Sequence, residues 1–125
     1  MLKILIAAGV LLGLYAGRAY GDELPADASN DLACAVVGFE LAGDAQATQE
    51  VRQAGNLIAI YYLGRLHGRA PGVDLETPIF QYSHTLTLER LNAERARCGG
   101  EFQTVGRDLR DIGQRLDARE GGGTK

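Results

Sequence analysis

The chain carries two cysteines, Cys34 and Cys98, set 64 residues apart. Their pairing constrains the fold more than any other feature. Two cysteines allow one connectivity. A bridge over that span removes unfolded-chain freedom worth roughly 4 kcal/mol. The whole stability of a small domain is about 5–15 kcal/mol. A bridge of this weight requires that the segments around Cys34 and Cys98 pack against each other in one domain.

A bridge persists only in an oxidising compartment, and the N-terminus bears on that. Lys3 precedes an apolar run from Ile4 to Ala16, and Ala19-Tyr20-Gly21 follows. Small residues then flank a cut before Asp22, as in a secretory signal peptide. The run of 13 residues is shorter than the roughly 20 needed to span a bilayer. The expectation is a signal peptide over 1–21, cleaved to release a periplasmic or secreted protein. No cysteine lies near the cut, which argues against a lipid-modified N-terminus.

Charge narrows the partners. The formal net charge is −3, and all 16 acidic residues lie after residue 21. An acidic chain lacks the basic patch of nucleic-acid binders, and adhesion to anionic lipid is equally disfavoured. The expectation is no nucleic acid, and no membrane after signal cleavage. Ten arginines and Lys125 are the basic residues after the leader. Arginine pairs carboxylates through two parallel donors, so surface ion pairing is expected.

The remaining pattern is helical, and no stretch alternates with a period of two. The reading is an all-α bundle of about four helices over 30–117. A flexible lead-in covers 22–29 and a disordered tail covers 118–125. Ser29, Asn30 and Asp31 offer caps for a first helix to about Ala42, with Cys34, Val37 and Leu41 on its apolar stripe. Thr48 can cap a second helix. Leu57 to Leu63 is apolar nearly all round, which predicts a helix buried on most sides and therefore central. Gly64, Gly68 and Pro71 signal its end. Asp74 can cap a short third helix through about Ser83, with Leu75, Ile79 and Tyr82 inward.

A fourth helix runs from about Leu88 to Leu116. Its stripe is Leu91, Cys98, Phe102, Val105, Leu109, Ile112 and Leu116. From Cys98 onward the spacing alternates four and three, the heptad seam of a helix packed along a partner. Gly99 and Gly100 are candidate kink points. The bridge is expected inside a contact between the first and fourth helices.

The densest polar cluster is Tyr61, Tyr62, Arg65, His67 and Arg69. Gly64 and Gly68 are one turn apart, where another backbone can come close. Arg65 and Arg69 are also one turn apart. Two readings compete. One is a packed helix end whose cations complement the last carbonyls. The other is a site for a small carboxylate-bearing ligand. No catalytic setting is visible: the two serines, Ser29 and Ser83, sit at caps or breaks, and no nucleophile elbow or phosphate loop occurs. With both cysteines bridged, His67 and His84 are too few for zinc, which takes three or four protein ligands. No enzyme activity, metal or cofactor is expected.

This layout resembles the small periplasmic acid-stress chaperones of the HdeA/HdeB kind. The shared features are the signal peptide, Cys34 just inside the first helix, Cys98 far downstream, and helices between. The stretch Tyr62-Leu63-Gly64-Arg65-Leu66-His67-Gly68 is also similar to an aromatic-x-Gly-x-x-x-Gly segment of that group and of the Rap1a/Tai immunity proteins. The resemblance implies a non-catalytic periplasmic binding or holdase-type protein with a protein client or partner. Below about pH 3 the acids, with reference values near 4, lose their charge. Repulsion among the remaining cations then opens the domain within the limit set by the bridge. The alternative is an envelope interaction module or immunity-type protein. It would act through Phe102, Val105, Leu109, Ile112 and Leu116, with homo-oligomerisation as one outcome.

Overall fold

A computed structural model describes residues 24–122. The signal-peptide reading of residues 1–21 lies outside the described residues. Four helices follow in order: α1 (Ala26–Gly43), α2 (Gln49–Arg69), α3 (Glu76–Thr85) and α4 (Leu88–Gly121). No strand occurs among the described residues. The all-α bundle expected from sequence is the fold.

α1 begins a turn earlier than its candidate caps indicate. Pro25 stands at the N-cap, and its carbonyl accepts from the Ala28 amide at 2.8 Å. Proline costs nothing at a helix start, where its missing N–H has no intrahelical partner. Ala28 is fully buried, so the flexible lead-in expected over 22–29 is corrected over Ala26–Ser29. The tail expected over 118–125 is corrected over Ala118–Gly121, where α4 continues.

The central helix is α1, not α2. Residues 31–38 are buried on every side, and α1 packs against each of the other three helices. The physical reason is size. Ala33, Cys34, Ala35, Val36, Val37 and Gly38 are small enough for neighbours to close in all round. On α2, by contrast, Leu57 and Ile60 remain 58% and 67% exposed. Apolarity all round a helix is shared by both segments; side-chain volume decides between them.

The α1–α2 crossing brings backbone against backbone. A Cβ built on Gly38 would lie 2.5 Å from the Ala59 nitrogen. One on Gly55 would lie 2.6 Å from the Ala42 nitrogen and 2.8 Å from the Gly38 oxygen. Gly64 and Gly68 have nothing within 4 Å of such a Cβ. The close approach expected at that pair is made by Gly38 and Gly55 instead.

The connections follow local chemistry. The Thr48 hydroxyl caps α2 by accepting from the Val51 amide at 3.4 Å, and Thr87 caps α4 through the Arg90 amide at 3.2 Å. Gly72 takes a positive φ of 79° in the turn after α2, a conformation that favours glycine. Asp74 accepts from the Glu76 amide and the Thr77 hydroxyl at 2.9 and 2.6 Å. Leu75, Ile79 and Tyr82 turn inward as expected. α4 runs through Gly99 and Gly100 without interruption.

Cys34 and Cys98 form the disulfide, with Cα atoms 5.4 Å apart and neither residue exposed. It pins α1 to α4 within the core cluster that also holds Val37, Ile58, Tyr62 and Leu66.

Candidate functional site

The polar cluster of α2 separates into an interior part and an outward part. Tyr62 is fully buried and its hydroxyl donates to Glu101 Oε2 at 2.9 Å. Burial pushes the phenol's pKa up, and the Glu101 hydrogen bond and charge push it further. The group therefore remains a neutral donor to a carboxylate. Glu101 is in turn held by Arg97 at 3.0 Å, and Arg97 also donates to the Asn30 carbonyl at 3.2 Å. One polar chain thus joins α1, α4 and α2 beside the disulfide.

Arg65 and Arg69 turn back onto α1. Arg65 Nε and Arg69 Nη1 lie 3.2 and 3.3 Å from Asp31 Oδ2, a carboxylate that is buried. That oxygen makes no aligned hydrogen bond, so the contact is one of charge. Arg69 also donates to the Asp27 carbonyl at 2.9 Å. The Arg65 guanidinium lies over the rings of Tyr61 and Tyr62, 5.6 and 5.5 Å from their centroids. Burial opposes its charge, but the Tyr61 hydroxyl and the Asp31 carboxylate outweigh that and raise its pKa. His67 faces solvent, apart from this group.

Of the five clustered residues, four therefore do structural duty: they lock α2 to α1 and α4. The guanidinium groups that a ligand carboxylate would need are already engaged by Asp31. The signal that identifies Asp31 is a matched spacing. Asp27 and Asp31 are one turn apart on α1, as Arg65 and Arg69 are on α2. A cap reading of Asp31 hides that complement.

The fourth helix divides in two. Leu91 and Phe102 pack on the core, and Phe102 meets Tyr61 edge to face with centroids 5.9 Å apart. Beyond Phe102 the same stripe runs out of the fold. Val105 is half-buried, while Leu109, Ile112 and Leu116 are 64%, 44% and 52% exposed. From Val105 to Gly121 the helix is about 25 Å long at 1.5 Å per residue. Its apolar seam keeps its register but has no partner within the described chain.

A second apolar surface was not anticipated from sequence. Val36, Phe39, Leu63, Ile79 and Phe80 line an open groove of about 460 Å³ where α1, α2 and α3 meet. Phe39 belongs to the apolar end of α1, and Phe80 lies off the inward face of α3, where it stacks near His84 at 4.1 Å. Among the described residues no three of His, Cys, Asp and Glu gather as a metal would require, and no helix is long and apolar enough to cross a membrane.

No protein-family model, curated protein or solved structure matches this chain. The functional reading therefore rests on the geometry, and the distal half of α4 is its most distinctive part.

Proposed function

We propose that this chain is an exported, non-catalytic interaction protein that docks through the distal half of α4. The observation that carries this reading is the exposed stripe of Leu109, Ile112 and Leu116. It continues, in heptad register, a seam whose first half is already packed on the protein's own core. Solvent-exposed apolar residues scattered singly need no explanation, but a contiguous stripe marks an interaction surface. Export is supported by the apolar run Ile4–Ala16 and the small residues before Asp22, together with a bridge suited to an oxidising compartment. A holdase would use the same apolar stripe.

One variant tests the docking reading. Leu109→Asp with Ile112→Asp places two charges on the exposed stripe. If the stripe belongs to a partner surface, then at a dilution where the parent is also monomeric the variant keeps the parent's circular dichroism spectrum and melts within about two degrees of it. Exposed substitutions usually lie within about 0.5 kcal/mol. It also loses whatever association the parent shows by sedimentation, and whatever protection the parent gives an aggregating client in acid. A loss of several kcal/mol would place the stripe in the core instead, since an unpaired buried charge is costly. That result would end the proposal.

A further inference from the structure

The flanks of the distal seam carry an asymmetric pattern that specifies a partner. On one side of Leu109, Ile112 and Leu116 stand Asp108 and Arg115, one heptad apart. On the other side stand Gly106 and Gly113, also one heptad apart, with nothing within 4 Å of a Cβ at either. One flank offers a charge of each sign, and the other offers bare backbone until Glu120 in the last turn.

We infer that the distal half of α4 pairs antiparallel with the same segment of a second copy of this chain. The inference rests on the docking role proposed above and names its partner. In an antiparallel pair, seam residues meet across layers and like flanks face each other. Laying Leu109 against Ile112 of the second copy lays Val105 against Leu116 of the second copy. The two-fold axis then passes between Arg110 and Asp111. In this one register Asp108 faces Arg115 of the second copy, twice by symmetry. The glycine flanks also meet, Gly106 near Gly113 of the second copy, so the helices can approach closely. Sliding one copy by a heptad either way sets Asp108 against Asp108 of the second copy or Arg115 against Arg115 of the second copy.

Length agrees with charge. In the favoured register Leu116 of the second copy lies level with Val105, the first seam residue beyond the packed Phe102. The four apolar layers therefore end where the other copy's body begins. A parallel pair sets Arg115 against Glu120 of the second copy but leaves Asp108 facing Gly113 of the second copy, so the charge of Asp108 is unused. The contact is four apolar layers over a short helix, the scale of a weak, reversible interface, with dissociation in the micromolar range.

Charge exchange tests this. The chain is expressed with its own leader, purified oxidised, and followed by sedimentation equilibrium from sub-micromolar to a few hundred micromolar. The parent is expected to dimerise. Asp108→Arg alone and Arg115→Glu alone each turn two attractions into repulsions. Each should weaken dimerisation about tenfold, or about 1.4 kcal/mol. The two together restore opposite charges and return it to within about threefold of the parent. A harmless Asp108→Arg beside a damaging Arg115→Glu would indicate a parallel pair and overturn the inference. So would a double variant weaker than either single one. A parent that stays monomeric throughout also overturns it. That outcome is distinct from failure of the docking reading, which shows as loss of folding in the Leu109→Asp, Ile112→Asp variant.

Discussion

Replacing Cys34 and Cys98 together by serine should lower stability by about 2–5 kcal/mol, the usual cost of losing a native bridge from a small secreted domain. Two effects add. The 64-residue separation restores much freedom to the unfolded chain. Both sulfurs also leave fully buried positions, and hydroxyls put there need hydrogen-bond partners that the apolar surroundings do not supply. The melting midpoint should fall by more than about ten degrees, at about 4–8 °C per kcal/mol for a domain of this size. The helical signal at neutral pH should persist, because α1 and α2 keep their own packed crossing. What loosens first is α4, left with Leu91, Phe102, the Tyr62–Glu101 hydrogen bond and the Arg97–Asn30 contact. A double variant melting within about two degrees of the parent would show that the bridge does not hold the fold.

Gly55→Ala sets two effects of opposite sign against each other. Helix propensity favours alanine over glycine by about 1 kcal/mol. The added methyl, however, would sit 2.6 Å from the Ala42 nitrogen and 2.8 Å from the Gly38 oxygen. Those are backbone atoms of a packed helix, so relief requires α1 and α2 to separate. Overpacking typically costs about 1–3 kcal/mol and sometimes more. A crossing with no flexible side chain to yield belongs at the upper end. The expected net result is destabilisation of about 2 kcal/mol, read by urea denaturation. Gly64→Ala is the internal control: its Cβ meets nothing within 4 Å, so propensity alone acts and the variant should gain up to about 1 kcal/mol. Both variants moving in the same direction would contradict the crossing described here.

Much of the architecture is legible in the sequence, because local rules govern it. Thr48 marks the start of α2, Leu88 the start of α4, and Leu75, Ile79 and Tyr82 the inner face of α3. The seam from Cys98 to Leu116 is legible as a period. What a period does not carry is where the rest of the molecule stops. Phe102 and Leu109 occupy equivalent heptad positions, yet one packs on Tyr61 and the other stands in solvent. The choice of central helix is also non-local. Leu57–Leu63 and Ala33–Gly38 are both apolar all round, and only the small side chains of the second admit neighbours on every side. Asp31 is the clearest case at the candidate site. As a single residue near a helix start it reads as a cap. Its burial between Arg65 and Arg69 emerges only when the two helices are laid together. Gly64 and Gly68 mislead for a related reason: spacing places two glycines on one face, but not a neighbour opposite them.

Beyond Val105, α4 lies outside the protein's own fold, and the association proposed above is what would hold it. An isolated helix of this length is marginal in water, so it should open readily in the monomer. Residue-resolved amide hydrogen exchange, measured from dilute to concentrated protein, reads this directly. Residues 58–66 of α2 should be strongly protected at every concentration, because they contribute Ile58, Tyr62 and Leu66 to the core. Residues 109–120 should exchange rapidly when dilute and gain protection as concentration rises. Protection of residues 109–120 equal to that of α2 in the dilute monomer would mean that the distal half of α4 belongs to the fold and needs no partner.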